Sequence, residues 1–152
     1  MSPFSQNLLF TLQALQVFIL IFHDWIPLGR LNDVAAVFRQ HGFRRVLIGT
    51  LINAIPFSFG LGASLYYWGQ PQPHWLWLYL LIAYGILFAG EIESWWLTYF
   101  FGYKQSARAA PYRAMFGNTH AFLPERHGIT PNTLHCILHA ATLATLIVLL
   151  IA

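Results

Sequence analysis

Charge is scarce in this chain. Lys, Arg, Asp and Glu together make up 9% of the 152 residues, where soluble domains carry about 25%. So few charged groups cannot cover a surface that faces water on all sides, which excludes an ordinary soluble domain. Cysteine is nearly absent as well. The single one, Cys136, excludes an internal disulfide and any thiolate cluster. Inside an apolar run it reads as a small buried residue. The first residues lack the positive segment and small-residue cleavage site of a signal peptide, so the first apolar run is expected to stay as a helix. Basic residues are missing from three places: the N-terminal segment, the turn GQPQPH and the C-terminal segment.

What remains is apolar and aromatic. Hydrophobic residues make up 57% and aromatics 17%. A transmembrane helix needs about 20 mostly apolar residues, and four segments qualify, at about 7–28, 46–68, 75–101 and 131–152. The expected fold is all-α, a single polytopic domain built as a four-transmembrane-helix bundle with interfacial amphipathic segments. LNDVAAVFRQHGF has its apolar residues at helical spacing, which predicts a short amphipathic helix on the interface or packed on the bundle.

All eight basic residues fall in two connections. Arg30, Arg39, Arg44 and Arg45 follow the first span; Lys104, Arg108, Arg113 and Arg126 follow the third. Four spans put both connections on one side, and the positive-inside rule makes that side cytoplasmic. Both termini then face outward. The net charge of +3 therefore records orientation in a membrane, with the lipid bilayer as partner and no nucleic acid. Trp25, Trp95, Trp96, Tyr99 and Tyr103 are expected to form an inner interfacial belt, and Tyr66, Tyr67, Trp68, Trp75 and Trp77 an outer one. Pro56 should kink the second span. Gly49, Gly60, Gly62, Gly85 and Gly90 offer close helix approach.

Ionisable groups inside a bilayer cost a few kcal/mol each on insertion scales. His23 and Asp24 sit near the inner end of the first span, Asn53 in the second, Glu91 and Glu93 in the third, and His135 and His139 in the first turns of the fourth. At about 1.5 Å per residue, all fall in the inner half. A bundle that turns them inward forms a polar pocket facing the cytoplasm. Glu91 and Glu93 are two apart and cannot face the same way. Glu91 is assigned to the pocket, and Glu93 to the interface or an arginine.

His135 and His139 are spaced i, i+4 and share one helix face. With Glu91 they make a two-histidine, one-carboxylate set of the kind that holds zinc or iron, with His23 and His120 as further ligands. A haem held by His23 and His135 or His139 ranks lower. The same residues also suit acid–base chemistry, a purely structural polar network in an assembly or ligand-binding subunit, or an ion- or proton-conducting oligomer. No catalytic residue is assigned. Residues 102–130 are too apolar for a disordered loop. They predict a short helix interrupted at Pro111, then an ordered turn region over the bundle mouth. Thr130 and Pro131 are expected to open the fourth helix.

The segments FHDWIPLGRLNDVAAV and MFGNTHAFLPERHGITPNTLHCILH resemble a group of short bacterial integral membrane proteins. The resemblance spans nearly the whole chain. It implies four helices in a bacterial inner membrane, and neither an activity nor functional residues. Membrane desaturases use several histidine boxes, where this chain has one HxxxH. The residues flanking the histidines also differ from those of bacterial b-type cytochromes.

Overall fold

The structure is a computed structural model and describes residues 1–151. It is all-helical, with no strand among the described residues. The elements are α1 (Pro3–Phe22), a 3-10 turn (Gly29–Leu31), α2 (Val34–Tyr66), α3 (His74–Glu91), a π-helical turn (Ile92–Trp96), α4 (Leu97–Phe101), α5 (Gln105–Phe116) and α6 (Thr133–Ile151). Four stretches are long and apolar enough to cross a membrane: α1, α2, α3 through α4, and α6. The chain is therefore a multi-pass helical membrane protein.

Each helix start has a local cause. Ser2 caps α1, its hydroxyl accepting from the Ser5 amide, and Pro3 supplies the first helical position. Asp33 caps α2 by accepting from the Ala36 amide. α6 begins two residues later than the sequence suggests. Its cap is Asn132 rather than Thr130: Asn132 Oδ1 accepts from the His135 amide at 2.9 Å. Pro131 lies just before that cap, buried, so its missing N–H costs no helical bond.

α1 ends at Phe22, earlier than expected, because the Asn32 side chain gathers the turn behind it. Its amide group donates to the His23 and Ile26 carbonyls while its oxygen accepts from the Leu28 amide. α2 is two helices joined at Gly42, whose φ of 73° breaks the run. The segment before the break is the expected amphipathic helix, and it packs on the bundle: Val37 is buried against Val46 and Met115. Pro111 does not interrupt α5, which runs through it.

The four spans form a ring in which α1 packs against α2 and α6, and α3 packs against α6 and α2. α6 is the most enclosed of them. Leu9, Leu20, Phe57, Leu76, Leu80, Leu138 and Leu149 fill the ring. Of the glycines expected to bring helices together, one does so. A Cβ on Gly60 would lie 2.8 Å from Leu80 Cδ2, whereas Gly49, Gly62, Gly85 and Gly90 have open space where a Cβ would sit.

α5 is clasped to the π-helical turn and α4. Arg108 reaches the Glu93 carboxylate at 2.7 Å, the Glu93 carbonyl, and Thr98 Oγ1 at 3.1 Å. Lys104 Nζ is 2.9 Å from Glu93, and its hydrogen bond to that carboxylate holds the ammonium pKa above its usual value. Tyr112 donates to the Ser94 carbonyl at 2.9 Å. Burial raises its phenol pKa, which keeps it a donor. Glu93 thus meets basic partners, and Glu91 faces inward.

Leucine at Gly60 would overpack the α2–α3 contact. Thermal unfolding in detergent should show Gly60→Leu destabilised by about 1–3 kcal/mol, with Gly62→Leu close to wild type.

Candidate functional site

A cavity of about 670 Å³ opens inside the ring at the end that carries the basic connections. His23 from α1's end, Asn53 from α2, Glu91 and Trp95 from the third span, and His135 and His139 from α6 all line it. Of the five residues the sequence nominates as metal ligands, four therefore share one cavity. The fifth, His120, lies outside it, exposed. Its ring meets Thr133 Oγ1 at 2.7 Å, its amide donates to the Arg30 carbonyl and its carbonyl accepts from the Thr133 amide. His120 thus ties the loop to the start of α6. Asp24 pairs with its neighbour His23 at 3.2 Å.

Hydrogen bonds assign the two α6 imidazoles opposite roles. Trp96 Nε1 donates to His139 Nδ1 at 3.1 Å. An indole only donates, so Nδ1 is the acceptor and the neutral ring carries its proton on Nε2. His135 is reversed. Asn132 Oδ1 already accepts from the His135 amide, so the ring Nδ1 at 2.7 Å is a donor to the same oxygen. Its Nε2 is then a bare lone pair. The rings are 6.0 Å apart between centroids. One offers a donor and the other an acceptor.

His23 has both nitrogens occupied. Nδ1 donates to the Ile19 carbonyl at 2.7 Å and Nε2 faces Asp24. Among the described residues no three His, Cys, Asp or Glu side chains converge as a metal site.

Glu91 is 6% exposed, and its two oxygens differ. Oε1 lies 2.9 Å from Thr142 Oγ1, while Oε2 has no partner. Thr142 Oγ1 also lies 2.9 Å from Gln16 Oε1 and 3.0 Å from the Leu138 carbonyl. Gln16 Nε2 donates to Thr145 Oγ1 at 2.8 Å. One hydroxyl hydrogen cannot serve three acceptors at once; a carboxylic-acid form of Glu91, donating to Thr142 Oγ1, would leave Gln16 Oε1 and the Leu138 carbonyl to share it. The network ties α1, α3 and α6 together. Gln13, fully buried one turn above Gln16, has neither amide atom partnered.

Sequence reasoning missed these residues. Gln13 and Gln16 are amides inside an apolar span, and Thr142 and Thr145 continue the face that His135 and His139 begin. That stripe was the available signal. The two tryptophans were assigned to an interfacial belt, and the structure corrects this for Trp95. It is buried, 4.5 Å from the His135 ring and 4.7 Å from the Tyr112 ring. The π-helical turn places it there. One extra residue in the turn shifts the register, so that Trp95 meets His135 while Trp96 meets His139.

The floor of the cavity is aromatic. Trp95 lines it against the His135 ring, Phe116 meets His135 edge-on, and Tyr112 packs behind Trp95. A second cavity of about 360 Å³, lined by Asp24, His41 and Arg45, lies on the basic side and shares Leu20, His23 and Asn53 with the first. Those three residues form the partition between them. The chain matches no family model, no curated protein and no solved structure.

Thr142→Val keeps the shape and removes the hydroxyl. It should cost about 1–2 kcal/mol in thermal or denaturant unfolding of the purified protein. Thr11→Val, which loses only a bond to its own helix backbone, should stay near wild type.

Proposed function

We propose that this is a small integral membrane protein of the bacterial cytoplasmic membrane, with its basic end in the cytoplasm. Its inner-half cavity binds a small polar group and offers it acid–base chemistry through Glu91, His135 and His139. The observation that carries this reading is three unused hydrogen-bonding positions on residues that line one cavity: a lone pair on His135 Nε2, a proton on His139 Nε2 and a buried, unpartnered oxygen on Glu91. An acceptor beside a donor, both fixed by partners behind them, is how a general base and a general acid are held. The vestibule lined by Asp24, His41 and Arg45 gives water and protons a route toward the partition at His23.

A resident zinc or iron ion is served less well. His139 presents a proton and His23 is engaged on both nitrogens, so His135 and Glu91 remain as the ready ligands. A second reading, a non-enzymatic subunit of a homo-oligomer or membrane complex, draws on the other half of Glu91. Its Oε1 is already used to hold three helices.

The test is nitrogen NMR of histidine side chains in lipid nanodiscs at neutral pH, assigned with His135→Phe and His139→Phe. His135 should show the Nδ1–H tautomer and His139 the Nε2–H tautomer, and Glu91→Gln should shift both. The reading fails if the two rings share one tautomer and ignore Glu91→Gln. One equivalent of Zn²⁺ that moves both rings together would favour the metal site instead.

A further inference from the structure

α2 and α3 touch toward their connecting turn. Tyr79 donates to the Pro56 carbonyl at 2.7 Å, Phe57 and Tyr84 rings lie 5.0 Å apart, and Leu80 fills the face of Gly60. From Pro56 toward the basic end the two helices part. α2 leans on α1 and α5 there: Val46 packs with Val37 and Met115, and Trp25 Nε1 donates to Thr50. α3 keeps to α6 and the aromatic floor. The main cavity lies in the resulting gap.

The mouth of that gap is apolar and lies in the middle of the bilayer. Ile52 is 67% exposed and Ile86 69% exposed, facing each other across it with Ile82. Ile86 stands twelve residues into α3, about 18 Å along a helix that crosses a hydrocarbon core of about 30 Å. A molecule entering there comes from the lipid phase, not from water.

The inner end of the gap selects the head. Among the described residues no Lys or Arg lines the cavity, so a phosphate or carboxylate head would find a glutamate and no cation. The His135 Nε2 lone pair and the His139 N–H, beside Glu91 in the same lining, instead fit a group that both donates and accepts, which is the inventory of a hydroxyl.

We propose that the cavity takes a neutral, hydroxyl-headed amphiphile from the bilayer through the α2–α3 gap. Its head meets His135 and His139 beside Glu91, and its tail passes between Ile52 and Ile86. The position of the head rests on the acid–base reading above; the lateral mouth does not.

Full-length protein in phosphatidylcholine nanodiscs is photolabelled with a long-chain alcohol that carries a diazirine in its tail, and the labelled residues are mapped by mass spectrometry. Labelling should saturate and concentrate on Ile52, Ile82 and Ile86. Unlabelled hexadecanol should displace it, and phosphatidic acid should not. Ile86→Trp or Ile52→Trp, each with a wild-type melting profile, should weaken it by about tenfold. Ile147→Trp on the lipid face of α6 should not.

Unsaturable labelling spread equally onto Ile147 and Leu143 overturns the proposal, as does indifference to both tryptophan variants. Equal displacement by phosphatidic acid overturns the neutral head. Saturable labelling that Ile86→Trp removes, but that Glu91→Gln and His135→Phe leave unchanged, supports the lateral mouth and counts against the acid–base reading.

Discussion

One hydroxyl, Thr142 Oγ1, stands where α1, α3 and α6 meet. It touches Gln16, Glu91 and its own helix backbone within 3.0 Å. These side chains are buried, so each polar group must find a protein partner or lose several kcal/mol of solvation. Gln16 and Glu91 find theirs through Thr142, and Gln16 passes the chain on to Thr145. Leu, Ile and Phe cannot specify which helix faces which in lipid, because the tails outside are as apolar as the side chains inside. The polar network supplies that specificity, and it fixes the rotation of α6 that turns His135 and His139 toward the cavity.

Glu91 connects scaffold and site. One oxygen belongs to the network, and the other is buried without a partner on a residue that lines the cavity. The π-helical turn after it works in the same way. It sets Trp95 as floor and Trp96 as donor to His139, and so decides which imidazole nitrogen remains free. Asn132 does the corresponding job for His135 while capping its helix. Cap, π turn and network thus hold three groups in defined hydrogen-bonding states, the kind of support by which a site is preorganised. The apolar gap between α2 and α3 opens the same cavity sideways.

The number of spans and the common depth of His23, Glu91, His135 and His139 were legible from hydropathy and from counting residues along helices. Glu93 was separable from Glu91 by their spacing of two. Helix boundaries moved where side chains decided them: Asn32 ended α1 early and Asn132 started α6 late. His120 reads as a further ligand because its loop is expected to fold over the bundle mouth. Its place was set by backbone bonds to Arg30 and Thr133 that no residue pattern announces. Trp95 and Trp96 resembled an interfacial belt by composition, since a sequence does not reveal a π turn. Gln13, Gln16, Thr142 and Thr145 were written plainly as polar residues in apolar spans, and depth counting confined to ionisable groups passed over them.

The most direct measurement is an experimental structure of the protein in a lipid nanodisc, at a resolution that places side chains around α6. It should show the Glu91 carboxyl within hydrogen-bond reach of Thr142, Gln16 bridging Thr142 and Thr145, and the Trp96 indole on His139 Nδ1. A Glu91 side chain turned away from α6, with Gln16 and Thr142 apart, would contradict both the origin of the bundle's geometry and the site built on it.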